Sequence, residues 1–309
     1  MTRIPTLSAY ERSLDAMAQR RAALAQDQLQ LSTGKRVNSP SDDPLAAAQA
    51  ERIRSQLARI STENRMIGFA RQMLSQAENT MGTVVDALQF ARESVVAAGN
   101  GALSSSDRAL IGQQLSGVRD QLLSLANQSD GAGGYVFGGQ GTTDVPFDAA
   151  TGAPNGPPAA APNVGEQATG LDVSYTTSQN GRAIFVDHAA AGGPKTIFQT
   201  LDDLVALIGD PATSAADLSA GLKDALGGID SALDRVSLAR TRAGEQLRAI
   251  DSYQQVLESG ELDARGRLSD LVDVDYADAI SRFQNNRTTL EAAMTAYGQI
   301  ARMTLFNYL

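Results

Sequence analysis

Apolar residues recur at every seventh position through a long stretch of this chain. The repeat consists of Ile53, Ile60, Ile67, Leu74, Met81, Leu88 and Val95, with Leu57, Asn64, Ala70, Ala77, Val84 and Ala91 between them. A seven-residue repeat keeps one seam of a helix against a partner helix over many turns. The pattern therefore predicts one long helix, from about Leu45 to Ala98, that needs helical partners along its length.

Two further segments carry the same spacing and can supply those partners. One starts near Ser106 and has apolar positions Ile111, Leu115, Val118, Leu122 and Leu125; the other has Leu222, Ile229, Val236, Ala243, Ile250 and Leu257. Antiparallel packing is the simplest way to bury all three seams. We therefore expect a mainly α fold, in which both halves of the chain form a long antiparallel helical bundle or coiled coil around a small β-containing insert.

The insert is indicated by the middle of the chain, where the seven-residue repeat stops and glycine and proline become frequent. Strands are expected at 135–137, 171–178 and 182–188, a helix at 197–208, and a patternless loop at 144–165. Asn180-Gly181 is typical of a type I′ hairpin turn, so we expect it to join the second and third strands. The loop has no apolar pattern that could seal a core, and we expect the insert to be a decoration at the far end of the bundle.

Both ends of the chain carry an apolar stripe without a partner nearby in the sequence. Isolated helices of this kind are marginally stable in water, so we expect the ends to pair with each other and then with neighbouring subunits. The predicted assembly interface is Tyr10, Leu14, Met17, Leu24, Leu31, Ile280, Phe283, Leu290, Met294, Tyr297, Phe306 and Leu309. In the free monomer we expect Leu24 and Leu290 to be largely exposed to water.

The expected organisation has three domains. Residues 1–42 with 268–309 would form a terminal coiled coil, 43–140 with 210–267 a helical bundle, and 141–209 the outer insert. Gly34 is expected to end the first helix, with Lys35 and Arg36 near its last carbonyls. Asp43 can cap the long helix, and Pro44 suits its first position.

Residue types suited to catalysis are scarce. The chain has no cysteine and a single histidine, His188. Histidine-based zinc sites and Ser-His-Asp triads therefore lack support. The acidic group Asp270, Asp273, Asp275 and Asp278 lacks the glycine and glutamate of a calcium loop, and the dipole of the last helix accounts for acids at its start. We expect no enzyme, no cofactor and no metal site.

Charge and hydropathy limit the partners. A net charge of −9 disfavours nucleic acid, and no apolar run is long enough for a membrane span. The residues before Val37 are locally basic, but their apolar face lacks Trp and Phe, which favours a solvated helix face over a membrane-bound one. The first thirty residues have no secretory signal pattern, so we expect any export to use another route.

Three stretches resemble the bacterial flagellin family: LSTGKRVNSPSDDPLAAA from Leu31, DLVDVDYADAI from Asp270, and the ending LFNYL from Leu305. The resemblance covers about the first 140 and last 100 residues. It implies an extracellular structural subunit of the flagellum at the hook–filament junction, exported unfolded through the flagellar type III channel. The implied partners are other copies of the chain, the first hook–filament junction protein, flagellin and an export chaperone.

Two other functions remain open at this point. A filament flagellin would differ in its place in the flagellum rather than in its chemistry. A coiled-coil signalling module would need a membrane span or a hairpin tip at its midpoint, where this chain is instead rich in proline and glycine.

Overall fold

The computed structural model describes residues 6–139, 143–155, 165–168, 174–190 and 193–306, with side chains in 11–139, 143–155, 174–190 and 193–299. Its helices are α1 (Thr6–Thr33), α2 (Pro44–Ala98), α3 (Ser105–Ala126), α4 (Gly181–Phe185), α5 (Ile197–Gly209), α6 (Ala215–Val272) and α7 (Tyr276–Phe306). The strands form two antiparallel pairs, β1 (Gly165–Ala168) with β2 (Ser174–Ser178) and β3 (Val186–Asp187) with β4 (Lys195–Thr196). The expected fold class is confirmed.

The chain divides into two compact units. The terminal unit is Met1–Ile60 with Glu258–Leu309, and the bundle unit is Ser61–Leu257. Helices α2 and α6 contribute residues to both units. Each unit is therefore built from segments that are far apart in the sequence.

The seven-residue repeat forms the core of the bundle unit. On α2, Ile67, Leu74, Met81, Leu88 and Val95 are at most 1% exposed, and Ile229, Val236 and Ile250 of α6 are fully buried. Ion pairs join Arg71 to Asp251 (3.1 Å) and Arg92 to Asp230 (2.8 Å). Arg92 lies further along α2 than Arg71, whereas its partner Asp230 lies earlier in α6 than Asp251. The two helices are therefore antiparallel, as expected.

The predicted hairpin at Asn180-Gly181 is wrong. The side chain of Asn180 instead accepts a hydrogen bond from the backbone N–H of Ala183 and caps the single turn of α4. A Cβ on Gly181 would lie 2.7 Å from the carbonyl oxygen of Phe137, so glycine serves close packing here. Strand β2 pairs with β1 and covers the described part of the strand expected at 171–178, whose first three residues lie outside the described residues. In place of the strand expected at 135–137 there are isolated bridges at Tyr135 and Gly138.

Residues 144–155 of the expected loop contribute to a core, contrary to expectation, whereas 156–164 lie outside the described residues. Phe147 is fully buried, with its ring edge-on to Phe185 (5.6 Å between centroids) and Phe198 (5.2 Å). Asn127 exchanges two hydrogen bonds with the backbone of Phe147. Arg119, which is 8% exposed, donates to the carbonyls of Ala149 and Ala150 as well as to Asp202.

The β elements are also tied to α6. Arg235 donates to the carbonyl of Ile184 at 3.1 Å, and Gln246 donates to the hydroxyl of Thr176 at 3.0 Å. The described part of the insert thus packs on helices of the bundle unit and shares its core. The expectation that this segment is a decoration is wrong for these residues.

Candidate functional site

The two helices at the ends of the chain pair with each other in the terminal unit. Arg20 of α1 donates to Asn286 of α7 at 3.2 Å, and Arg282 of α7 donates to Gln30 of α1 at 3.1 Å. Later residues of one helix again meet earlier residues of the other, so the pairing is antiparallel. We call α1 and α7 together the terminal pair.

The middle of the terminal pair contains buried polar side chains. Asp27 is 7% exposed and Gln30 is 8% exposed. Asn286 donates to Asp27 at 2.7 Å, and the guanidinium of Arg282 lies 3.7 Å from the same carboxylate. The amide of Gln30 accepts from Arg282 and donates to the carbonyl of Arg36 at 3.1 Å. We call Asp27, Gln30, Arg282 and Asn286 the polar cluster.

The residues of the predicted interface fall into three groups. Leu290 is buried; Met17, Leu24, Leu31, Phe283 and Tyr297 are half-buried; and Leu14, Ile280 and Met294 are 41%, 45% and 47% exposed. The expectation that Leu24 and Leu290 are largely wet in the monomer is wrong, because the terminal pair already covers them. Tyr10 and Phe306 lie in α1 and α7 but outside the described side chains, and Leu309 lies outside the described residues.

Gly34 ends α1 as expected. Its φ of +70° is a left-handed conformation that glycine adopts without strain, and its N–H donates to the carbonyl of Gln30 at 2.9 Å. A Cβ at this position would lie 2.8 Å from the hydroxyl of Tyr276. Both the backbone angle and the close approach of Tyr276 therefore require glycine.

Arg36 was expected near the last carbonyls of α1, but it contacts the end of α6. Arg36 donates from its side chain to the carbonyl of Leu271 at 2.6 Å, near the end of α6, and from its backbone to the carbonyl of Val272. The N–H of Val274 in turn donates to the carbonyl of Gly34 at 3.0 Å. The break between α1 and α2 is thus hydrogen-bonded to the break between α6 and α7.

The start of α2 follows the sequence pattern. Pro44 is its first residue, and the carboxylate of Asp43 accepts the N–H of Ala46 at 2.9 Å. That hydrogen bond, helped by the nearby guanidinium of Arg36, lowers the pKa of Asp43 below its ordinary value. A charged cap at a helix start is also favoured by the helix dipole.

Of the acidic group expected at the start of the last helix, only Asp275 and Asp278 lie there, because Asp270 belongs to α6 and Asp273 follows its end. Asp275 accepts the N–H groups of Ala277 (2.9 Å) and Asp278 (3.2 Å), which caps the helix. Within the described residues, no set of three histidine or acidic side chains could hold a metal ion. Likewise, none of the described helices is both long and apolar enough to cross a membrane.

The polar cluster is the part of this site that the sequence reasoning missed. Asp27 follows Leu24 by three residues and precedes Leu31 by four, so it occupies a seam position where the repeat calls for an apolar residue. A carboxylate at such a position indicates a buried polar contact and could have been noticed in the sequence. Its partners on α7 could not be assigned without knowing the offset between the two helices.

Comparison with known proteins agrees with this arrangement. Residues 4–142 match the bacterial flagellin N-terminal helical region, and residues 226–309 match the bacterial flagellin C-terminal helical region. Flagellar hook-associated protein 3 of Salmonella typhimurium is 32% identical over 98% of both chains, and a flagellin of Bacillus subtilis is 25% identical over 93% of this chain and 92% of its own.

A solved structure supports the fold. A putative flagellar hook-associated protein from Vibrio parahaemolyticus, 23% identical, superposes with a TM-score of 0.66 over 75% of this chain and 100% of its own. The similarity over full length is greater to the hook-associated protein than to the flagellin. The chain therefore belongs to the flagellar hook-associated protein 3 family of the bacterial flagellins and is a structural subunit of the flagellum.

Proposed function

We propose that this subunit lies at the hook–filament junction and joins its neighbours through the exposed side of the terminal pair. The observation that carries the proposal is the uneven burial of the terminal stripes. Single exposed apolar residues are common on soluble proteins. Here, however, Leu14, Ile280 and Met294 belong to stripes whose other described members are covered at least in part.

The mechanism follows from how filaments are built. A filament needs head-to-tail contacts that do not close within one ring. Two helices cannot surround their own seam, so the apolar side chains left exposed on the terminal pair are available to helices of the next subunit. Burial of the remaining stripe then stabilises the ends only in the assembly, which couples their ordering to incorporation.

The proposed partners are other copies of this chain, the first hook–filament junction protein and flagellin. Export without a cleaved signal peptide, with the help of a dedicated chaperone, is part of the same proposal and rests on the family resemblance. The three-domain division into terminal coiled coil, helical bundle and outer insert stays a prediction.

The test places one carboxylate at a covered position and one at an exposed position of the same helix. Met294→Asp should change the melting temperature of the monomer by no more than a few degrees, because surface substitutions usually change stability by less than about 0.5 kcal/mol. Leu290→Asp should lower it strongly, because the carboxylate would be buried without a partner. In cells that lack the native protein, Met294→Asp should leave hooks without filaments and flagellin in the medium.

Asn285→Asp is the matched control, since it adds the same charge at an exposed position of α7 outside the stripe. It should support normal filaments. Normal filament growth with Met294→Asp and with Leu14→Asp would show that the exposed side of the terminal pair is not the assembly surface.

A further inference from the structure

The apolar stripes of the terminal pair do not by themselves fix how the two helices are aligned. Met17, Leu24 and Leu31 repeat every seven residues on α1, and Phe283, Leu290 and Tyr297 do the same on α7. Sliding α7 by seven residues, about 10 Å at 1.5 Å per residue, therefore places apolar side chains against apolar side chains again. Something other than the repeat must select one alignment.

The polar cluster is not repeated in this way. Moving α7 by seven residues in one direction places Thr289 and Ala293 where Arg282 and Asn286 now lie. Neither carries a positive charge, and alanine has no side-chain donor, so the carboxylate of Asp27 would be left buried without a cation. Buried ionic groups that lose their partner are strongly destabilising.

Moving α7 in the opposite direction is equally unfavourable. It brings Ala279 to the position of Asn286, and Asp275, which caps the start of α7, to the position of Arg282, so a second carboxylate would face Asp27. In the observed alignment, by contrast, Asp27 accepts from Asn286 at 2.7 Å and Gln30 accepts from Arg282 at 3.1 Å. The polar groups of the cluster are satisfied together at one alignment out of the three.

We propose that the polar cluster sets the register of α1 against α7 and thereby determines which apolar residues face outward for the next subunit. These are positioning residues, comparable to a buried polar residue that selects the register of a coiled coil at some cost in stability. Leu14, Ile280 and Met294 are exposed in this register. The part of the proposal that concerns assembly rests on the proposed function, whereas the register itself is a property of the isolated chain.

The register can be measured as a distance between two spin labels. The chain has no cysteine, so Ala16→Cys and Gln284→Cys, both at exposed positions, introduce the only two labelling sites. They lie at different heights along the antiparallel pair, so a slip of seven residues changes their separation by up to about 10 Å. The parent chain should give one narrow distance distribution by pulsed electron paramagnetic resonance.

The test variant replaces the cluster with apolar residues. Asp27→Leu/Arg282→Leu/Asn286→Leu should keep the helical content of the chain, measured by circular dichroism, but add a second distance population shifted by several ångströms. The control Arg287→Leu/Glu291→Leu removes an exposed ion pair (3.0 Å) from the same helix and should keep the single distance. An unchanged single distance in the test variant, a broad distribution without a second population, or an equal shift in the control would each overturn the proposal.

Filament growth separates this proposal from the proposed function. If the register slips and filaments still form, the cluster sets the register but the terminal pair is not the assembly surface. If the register holds in the triple variant and Met294→Asp still blocks assembly, the surface is right and the role of the cluster is wrong.

Discussion

The bundle unit and the terminal pair carry the same seven-residue repeat but differ in how completely it is buried. In the bundle unit the seam residues of α2 from Ile67 to Val95 are at most 1% exposed. In the terminal pair only Leu290 is buried among the described stripe residues, and two polar side chains, Asp27 and Gln30, are buried between the helices. A repeat thus reports which face of a helix is apolar, but not how many neighbours cover it.

The number of covering helices explains the difference. In the bundle unit, Gly82 of α2 lies beside Arg240 of α6, Gly228 of α6 lies beside Thr200 of α5, and Gly112 of α3 lies beside Ile208 of α5. Several helices therefore pack together there and enclose the seam. Two helices alone leave the flanks of their seam in water. We therefore expect the terminal pair to be the less stable of the two regions, and its stripe to be the one that further chains complete.

The largest effect expected from this comparison is on a core leucine. Leu74→Ala removes a side chain that is 1% exposed and should lower the free energy of unfolding by about 2–5 kcal/mol. Leu14→Ala removes the same atoms from a helix position that is 41% exposed and should change it by less than about 0.5 kcal/mol. Urea denaturation followed by circular dichroism gives both values.

Because both variants replace leucine by alanine within a helix, differences in helix propensity cancel between them. Equal losses at the two positions would mean that the N-terminal part of α1 is already enclosed in the monomer. The stripe of the terminal pair would then be covered as completely as the seam of the bundle unit.

A smaller effect is expected where the terminal pair joins the rest of the terminal unit. Gly34→Ala forces a side chain into a left-handed conformation, at a cost of about 1–2 kcal/mol, and also crowds the hydroxyl of Tyr276. Hydrogen exchange should show weaker protection of α1 and α7 with little change in the bundle unit. Gly101→Ala, with open space around its Cβ and no positive φ, is the control and should behave like the parent chain.

Adding Tyr276→Phe to Gly34→Ala separates the two causes. It removes the crowded oxygen and should recover part of the lost protection, leaving the cost of the backbone angle. Full recovery would mean that the left-handed conformation itself costs little at this turn.

The long helices were predictable because each depends on residues close together in the sequence. The repeat from Ile53 to Val95, the cap at Asp43 and the stop at Gly34 all have local causes, and each is found where the sequence predicts it. Asn180-Gly181 misled for the opposite reason. Its choice between a hairpin and a capped helical turn depends on packing against Phe137, which is distant in the sequence.

The site was predictable in outline and not in detail. The stripes of α1 and α7 identified the helices that pair, but the division into covered and exposed members depends on the alignment of one helix with the other. Leu290 and Met294 differ by one helical turn, yet the first is 9% exposed and the second 47%. Long-range contacts such as that of Asn286 with Asp27 decide this alignment, and a single sequence does not report them.

The smallest expected effect is a pH dependence at the start of α2. The pKa of Asp43 is lowered in the folded chain because its carboxylate accepts the N–H of Ala46. A depressed pKa contributes stability that is fully present above the unfolded value of 3.8 and is lost as the pH falls through the lower folded value. Asp43→Asn keeps a capping side chain without a charge to titrate. The advantage of the parent chain over this variant, measured as protection of the Ala46 amide, should therefore shrink between about pH 6 and about pH 2. A constant difference across that range would show that the charge of Asp43 contributes nothing to the cap, and that the turn from Gly34 to Pro44 is held by its hydrogen bonds to α6 alone.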